Sequence, residues 1–302
     1  MGLIKIVKDK YYQAHNSYIN SFGYCKYRKY NSNETQLITE NLQFKNSHEK
    51  QRCFILGNGP SLKNENLLLL QGECVFTVNQ IARHEDFESI NPTYHFWADP
   101  SFFQDNDTKE DEELISTMKN TNLGENKPIC FFPVEQLDFI RKHNIEKDIK
   151  VCFFKSGLIF HDSFKKAIDY TKFVPGFGTV VQWCITMAVY MGFREIYLLG
   201  CDNTGLMCTF NSALKRNNNE YYGYEITENE QRRMEKLLDV NKLEAYVQSY
   251  LNTLKDYRRL YLYCARLGIK LINCSSETVI DSIPRKSLSE VLMKAKVNSH
   301  EN

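Results

Sequence analysis

No stretch of about 18 apolar residues occurs in this 302-residue chain, which removes a membrane-spanning helix from consideration. An excess of one charge sign is also missing. With 38 Lys and Arg against 37 Asp and Glu, the chain is not built mainly to neutralise nucleic-acid phosphates. None of the ten cysteines forms a C-x-x-C pair, and the scattered Cys and His residues have no zinc spacing. They read as reduced thiols in a cytosolic protein, several of them acting as small hydrophobes inside apolar runs. The apolar stretch at Met1–Lys8 is too short for a secretory signal, and Ile6 breaks the myristoylation pattern. Internal repeats are absent. What is present, 42% hydrophobic and 13% aromatic residues, excludes wholesale disorder and suffices for a sizeable core without staples.

The first fifty residues stand apart. Lys5, Lys8, Lys10, Lys26, Arg28 and Lys29 face only Asp9, with six tyrosines interspersed between Tyr11 and Tyr30. Residues 1–50 therefore read as a basic arm. It either packs on the main domain or attaches to an anionic membrane surface, the inner face in a cytosolic protein.

From Arg52 onward, short apolar runs alternate with helical stretches. Strands are expected at 53–56, 74–78, 94–98, 128–133, 149–154, 195–200 and 269–273. The nearly all-apolar segment 178–191 predicts a buried helix ended by Gly192, and a long helical region covers roughly 228–267. This alternation implies a Rossmann-like α/β fold: a mostly parallel sheet with helices on both faces, over residues 51–302. In such a sheet, ligands sit beyond the carboxyl ends of the strands, so the polar corners there are the candidates.

The first corner is Gly57-Asn58-Gly59-Pro60-Ser61-Leu62, between a strand and an expected helix. Two glycines permit a sharp turn and close approach, and free N–H groups at a helix start favour an anion such as a nucleotide phosphate. Neither the dinucleotide fingerprint nor the P-loop pattern is completed. Asn79-Gln80, Asp99-Pro-Ser101 and Asp202-Asn-Thr204 bring amides, carboxylates and hydroxyls to further strand ends, suited to ribose, base and sugar hydroxyls. Asp105-Asn-Asp107 has the Asp-x-Asp form that holds a divalent cation on a diphosphate, but it lies in a run of acids that reads as a solvated face.

These corners, with G-T-V-V-Q-W-C-I-T-M-A-V-Y-M-G-F-R-E-I-Y-L-L-G-C-D from Gly178, resemble the bacterial sialyltransferases of lipo-oligosaccharide and capsule synthesis. They are similar also to the wider superfamily of MptE-like hydroxymethylpterin pyrophosphokinases and Maf proteins. The resemblance covers roughly 52–285 in outline and is tight only at the motifs. It implies nucleotide-donor binding at Gly57, Asn58, Gly59 and Ser61, with Asn79, Gln80, Asp99 and Ser101 on the donor and Gly176, Gly178 and Thr179 at the turn before the buried helix. Where the sialyltransferases carry a general-base His in Tyr-Ile-Gly-His, this chain has Tyr221-Tyr-Gly-Tyr224.

Proton transfer from an acceptor hydroxyl then falls to Asp202 first and Glu220 or Glu225 second, with His161 and His95 as further candidates. Tyr222 and Tyr224 are placed to donate hydrogen bonds to a leaving phosphate. The expected function is glycosyl transfer from a nucleotide sugar to a surface glycan or lipid-linked oligosaccharide. No cofactor is required by this reading, although a divalent cation could accompany the donor. The alternatives are an ATP-dependent pyrophosphokinase and a non-catalytic nucleotide- or glycan-binding protein.

Overall fold

A computed structural model describes residues 3–28, 32–106, 108–121, 127–214, 222–237 and 242–298. Its strands are β1 (Arg52–Leu56), β2 (Cys74–Val78), β3 (Tyr94–Phe96), β4 (Ile129–Pro133), β5 (Lys150–Leu158), β6 (Phe173–Pro175), β7 (Glu195–Leu199) and β8 (Lys270–Asn273). The helices are α1 (Leu3–Arg28), α2 (Ser32–Thr39), α3 (Phe87–Ile90), α4 (Lys109–Lys119), α5 (Leu137–Lys142), α6 (Val180–Met191), α7 (Gly205–Ala213), α8 (Glu228–Leu237), α9 (Leu243–Arg266) and α10 (Leu288–Asn298).

All eight strands join one sheet in the order β6-β5-β4-β3-β2-β1-β7-β8, and every pairing is parallel. The reason is legible in β1 and β7. Cys53, Ile55, Ile196 and Leu198 enter the larger hydrophobic cluster, while Phe54, Leu56, Tyr197 and Leu199 enter the smaller one on the opposite face. Successive side chains point to opposite faces, so a strand covered on both must be apolar throughout. Helix α6, buried at all but Trp183 and Val189, supplies Cys184, Ile185, Met187 and Ala188 to the larger cluster.

The chain builds outward from β1 through β2 to β6, then crosses back to lay β7 on the other side of β1. That reversal makes the carboxyl ends of β1 and β7 the switch point of the sheet, where a crevice opens.

One local expectation is corrected and one strand is added. The glycine turn is followed by two 3₁₀ turns, Pro60–Asn64 and Leu67–Leu70, in place of an α-helix. β6, only three residues long, gives no sequence signal of its own. The helical region expected over roughly 228–267 is there, as the two helices α8 and α9. The first fifty residues contain α1 and α2. Ile38 and Phe44 belong to the larger cluster, so this part of the arm packs on the sheet domain.

Candidate functional site

The turn after β1 is fastened to β7. Gly57 N–H donates to Leu199 O (2.8 Å) and Gly59 N–H to Gly200 O (2.8 Å). Ser61 N–H donates to Asp202 Oδ2 (2.7 Å), and the Ser61 hydroxyl donates to Asp202 Oδ1. A Cβ on Gly59 would lie 2.5 Å from Asp202 Cγ and 2.6 Å from Gly200 O, so only glycine admits this approach.

This changes the chemistry expected of the turn. The N–H groups of Gly57, Gly59 and Ser61 are spent on β7 and Asp202, and the 3₁₀ turn that follows is five residues long. Asp202 is 1% exposed, both its oxygens accept from Ser61, and burial pushes its carboxyl up from the ordinary aspartate range. It holds the turn and is absent from the lining of the cavity in front of it, where the general-base reading would place it.

In front of the turn lies a cavity of about 210 Å³ at the switch point. Its floor is Gly57, Asn58 and Gly59 with Asn79 from β2's end, and Gly200, Cys201, Asn203 and Thr204 from β7's end. Thr179, Val180 and Val181 bring the N-terminus of α6 to it, and Tyr222, Cys208 and Tyr257 complete the wall. Asn79 and Asn203 both adopt left-handed backbone (φ 48° and 56°), which asparagine tolerates better than most residues. Asn79 Oδ1 accepts from Ala98 N–H (3.2 Å), tying β2's end to β3's.

Two buried amide atoms in this lining have no partner among the described residues: Asn58 Oδ1, an acceptor, and Asn203 Nδ2, a donor. A buried amide left unmatched costs free energy that a bound ligand with complementary groups recovers. The Thr179 hydroxyl meets the Tyr257 hydroxyl (3.1 Å), and Gln182 Oε1 accepts from Thr179 N–H (3.3 Å). Burial and Cys208 raise Tyr222 above the ordinary phenol range, which keeps it a proton donor.

The other candidates fall elsewhere. Gln80 is buried, with Oε1 accepting from Arg83 Nε (2.7 Å). Asp99 Oδ1 caps Ser101 N–H (2.9 Å), while Ser101 O and Oγ accept from Arg233, which also pairs with Glu230 (2.7 Å). That corner is held by salt-bridged packing and stays outside the cavity lining. Gly178 lies where a side chain would collide with Thr253 Oγ1 on α9, a packing role. Gly176 N–H donates to Leu158 O (3.0 Å).

Tyr224 is buried behind Tyr222, ring centroids 5.7 Å apart, so Tyr222 and not Tyr224 reaches the cavity. Glu225 is exposed. His95 is fully buried, its Nδ1 on Thr77 Oγ1 (2.7 Å), and burial lowers it to about 3. His161 bonds Ser163 Oγ (2.9 Å) away from the cavity. Asp105 pairs with Lys142 and His143, and Asp107 and Glu220 lie outside the described residues.

Tyr257 and Cys208 have no local signal that could mark them. Each occupies a helix where an apolar or aromatic residue reads as core, and only the return of α7 and α9 over the switch point brings them in.

Fold and site together define a doubly wound parallel α/β protein with a neutral, amide- and hydroxyl-lined cavity at its switch point. Residues 26–204 match the family described as 6-hydroxymethylpterin diphosphokinase MptE-like, and the chain belongs to that family. No curated protein matches it. Among solved structures it is similar to a Maf glycosyltransferase from Magnetospirillum magneticum AMB-1, at 12% identity and a TM-score of 0.43 over 88% of this chain. The chain spans 41% of that protein's length. It is similar also to the sialyltransferase CstII from Campylobacter jejuni, solved with the substrate analogue cytidine-5'-monophosphate. There the identity is 18% and the TM-score 0.42, over 78% of this chain and 85% of that one.

Proposed function

We propose that the chain is a transferase that binds a nucleotide-activated sugar at the switch-point cavity and passes the sugar to a glycan or lipid-linked oligosaccharide acceptor. The observation that carries this reading is the chemistry of the lining. Amides from Asn58, Asn79 and Asn203 and hydroxyls from Thr179, Thr204 and Tyr222 converge there, and among the described residues no Asp or Glu joins them. Neutral donors and acceptors suit ribose, base and sugar hydroxyls. The start of twelve-residue α6 faces the same space and favours a phosphate. Without carboxylates, a divalent cation would be held by the donor's own phosphate oxygens and not by this lining.

In the transfer, the acceptor hydroxyl forms a bond to the donor carbon while the bond from that carbon to the phosphate oxygen breaks. The acceptor proton leaves to a group beyond the described lining. The Tyr222 hydroxyl, kept protonated by burial, donates to the departing phosphate. Removing such a donor by Tyr222→Phe is expected to lower turnover by about 10²-fold, in line with single oxyanion-stabilising donors, while the fold persists.

The family match favours a second reading, transfer of diphosphate from ATP. The distinguishing experiment is a thermal-shift panel of CMP, UDP, GDP, dTDP and ATP, with and without Mg²⁺. A ligand at 100 times its Kd stabilises by about 2.7 kcal/mol. Metal-independent stabilisation by a nucleoside mono- or diphosphate supports glycosyl transfer. Stabilisation only by ATP with Mg²⁺, accompanied by AMP formation, rejects it in favour of the diphosphokinase.

A further inference from the structure

A cavity larger than the one at the switch point lies elsewhere on the molecule. It measures about 660 Å³ and runs along the β6 edge beside α1, with Cys25, Phe164 and Phe173 among its apolar walls and Lys45, Lys166 and Lys172 at its margins. Lys172 is paired with Asp169 (2.7 Å), the one acidic residue in the lining.

Helix α1 is held against the sheet edge by one face. Asn20 Nδ2 donates to Ile159 O (2.9 Å) and Ile159 N–H donates to Asn20 Oδ1 (2.7 Å). One turn on, Gly23 sits so close that a Cβ would lie 3.1 Å from Gly157 O.

The opposite face is uncovered. Val7, Tyr11, Tyr18 and Phe22 are 60%, 65%, 62% and 58% exposed, and Tyr12 and Ile19 lie beside them. At 3.6 residues per turn, positions 7, 11, 18 and 25 fall on one line, so the stripe leads directly into the cavity at exposed Cys25. The rings pack along the surface, Tyr18 against Phe22 at 4.8 Å and Tyr11 against His15 at 6.1 Å. Lys8 and Lys10, both exposed, lie to either side of the stripe by the same geometry. Through position 30 the segment carries six Lys or Arg against Asp9 alone.

We propose that α1 is an interfacial helix. It seats the protein on an anionic phospholipid surface, with the tyrosine stripe at the headgroup level and its lysines, with those bordering the adjoining groove, facing lipid phosphate. Tyrosine has an apolar body and a polar tip, which suits the headgroup level of a bilayer. A one-sided basic charge favours anionic lipid over a second copy of the same basic helix, which it would repel. This surface is independent of the nucleotide cavity and does not rest on the transfer reaction.

The test is co-sedimentation of the full chain with phosphatidylcholine vesicles and with vesicles containing phosphatidylserine. Measurements at low and high salt compare wild type with Lys8→Glu/Lys10→Glu and with Tyr11→Ser/Tyr18→Ser/Phe22→Ser. Because the altered side chains are solvent-facing, unchanged melting temperatures are expected for both variants. Binding is expected only to the anionic vesicles, falling with salt, with the charge-reversal variant weaker by about tenfold or more. The aromatic variant is expected to lose sedimentation. Equal binding to neutral vesicles, no binding at all, or a concentration-dependent dimer abolished by the aromatic substitutions would overturn the proposal.

Discussion

At the scale of single residues, the turn Gly57–Leu62 shows how much of a motif is spent on holding the fold. Its glycines are required by close approach, as expected, and within the protein what approaches is the end of β7 and Asp202. Asp202→Ala leaves Ser61 N–H without its buried acceptor. We expect a stability loss of about 1–3 kcal/mol, read from urea unfolding, together with loss of nucleotide-induced stabilisation as the turn loosens. His95 offers a pH test. Burial lowers its folded pKa to about 3, so the neutral ring is the folded form. Stability from this group is complete above the unfolded pKa of about 6.5 and declines as pH falls towards 3, by at most about 1.4 kcal/mol per pH unit. The difference between unfolding curves of wild type and His95→Gln from pH 4 to 7 should show that slope; parallel curves would reject it. Neither burial nor partner can be read from the dipeptide around a histidine, which is why His95 stood among the candidate bases.

At the scale of elements, the contact of α6 with α9 depends on a missing side chain. Gly178 lies against Thr253, and Gln182 Nε2 donates to Thr253 O (3.0 Å). Gly178→Ala should destabilise by about 1–3 kcal/mol through overpacking, and adding Thr253→Ala should recover part of the loss. Thermal unfolding of the two single variants and the double one measures this coupling; additive losses would show that the clash is relieved elsewhere. The buried helix α6 was legible because its apolar residues run all round. Its partner α9 was legible as a helix only, since the residues Thr253 and Tyr257 that meet α6 look no different from others on its amphipathic face.

At the scale of the whole molecule, the cavity exists because three strand ends and three helices, α6, α7 and α9, meet at one edge. Hydrogen exchange should report this unity. A nucleotide that stabilises the protein is expected to slow amides in 57–62, 79–83 and 200–208 together, leaving the α1 groove unchanged. Protection confined to one segment, or protection at 164–172, would place the ligand elsewhere.

By itself the sequence determined the parallel α/β architecture, seven of the eight strands and the polar corners at their ends. Those signals are local: a strand covered on both faces must be apolar along its length, and a corner must turn. Only the tertiary structure decided which corners share a cavity and which are consumed in holding the fold. The turn's N–H groups are satisfied by residues as far away as Asp202, 141 positions from Ser61. A buried hydrogen bond is settled by whichever group the folded chain brings within reach, and nothing in a motif's own residues records that.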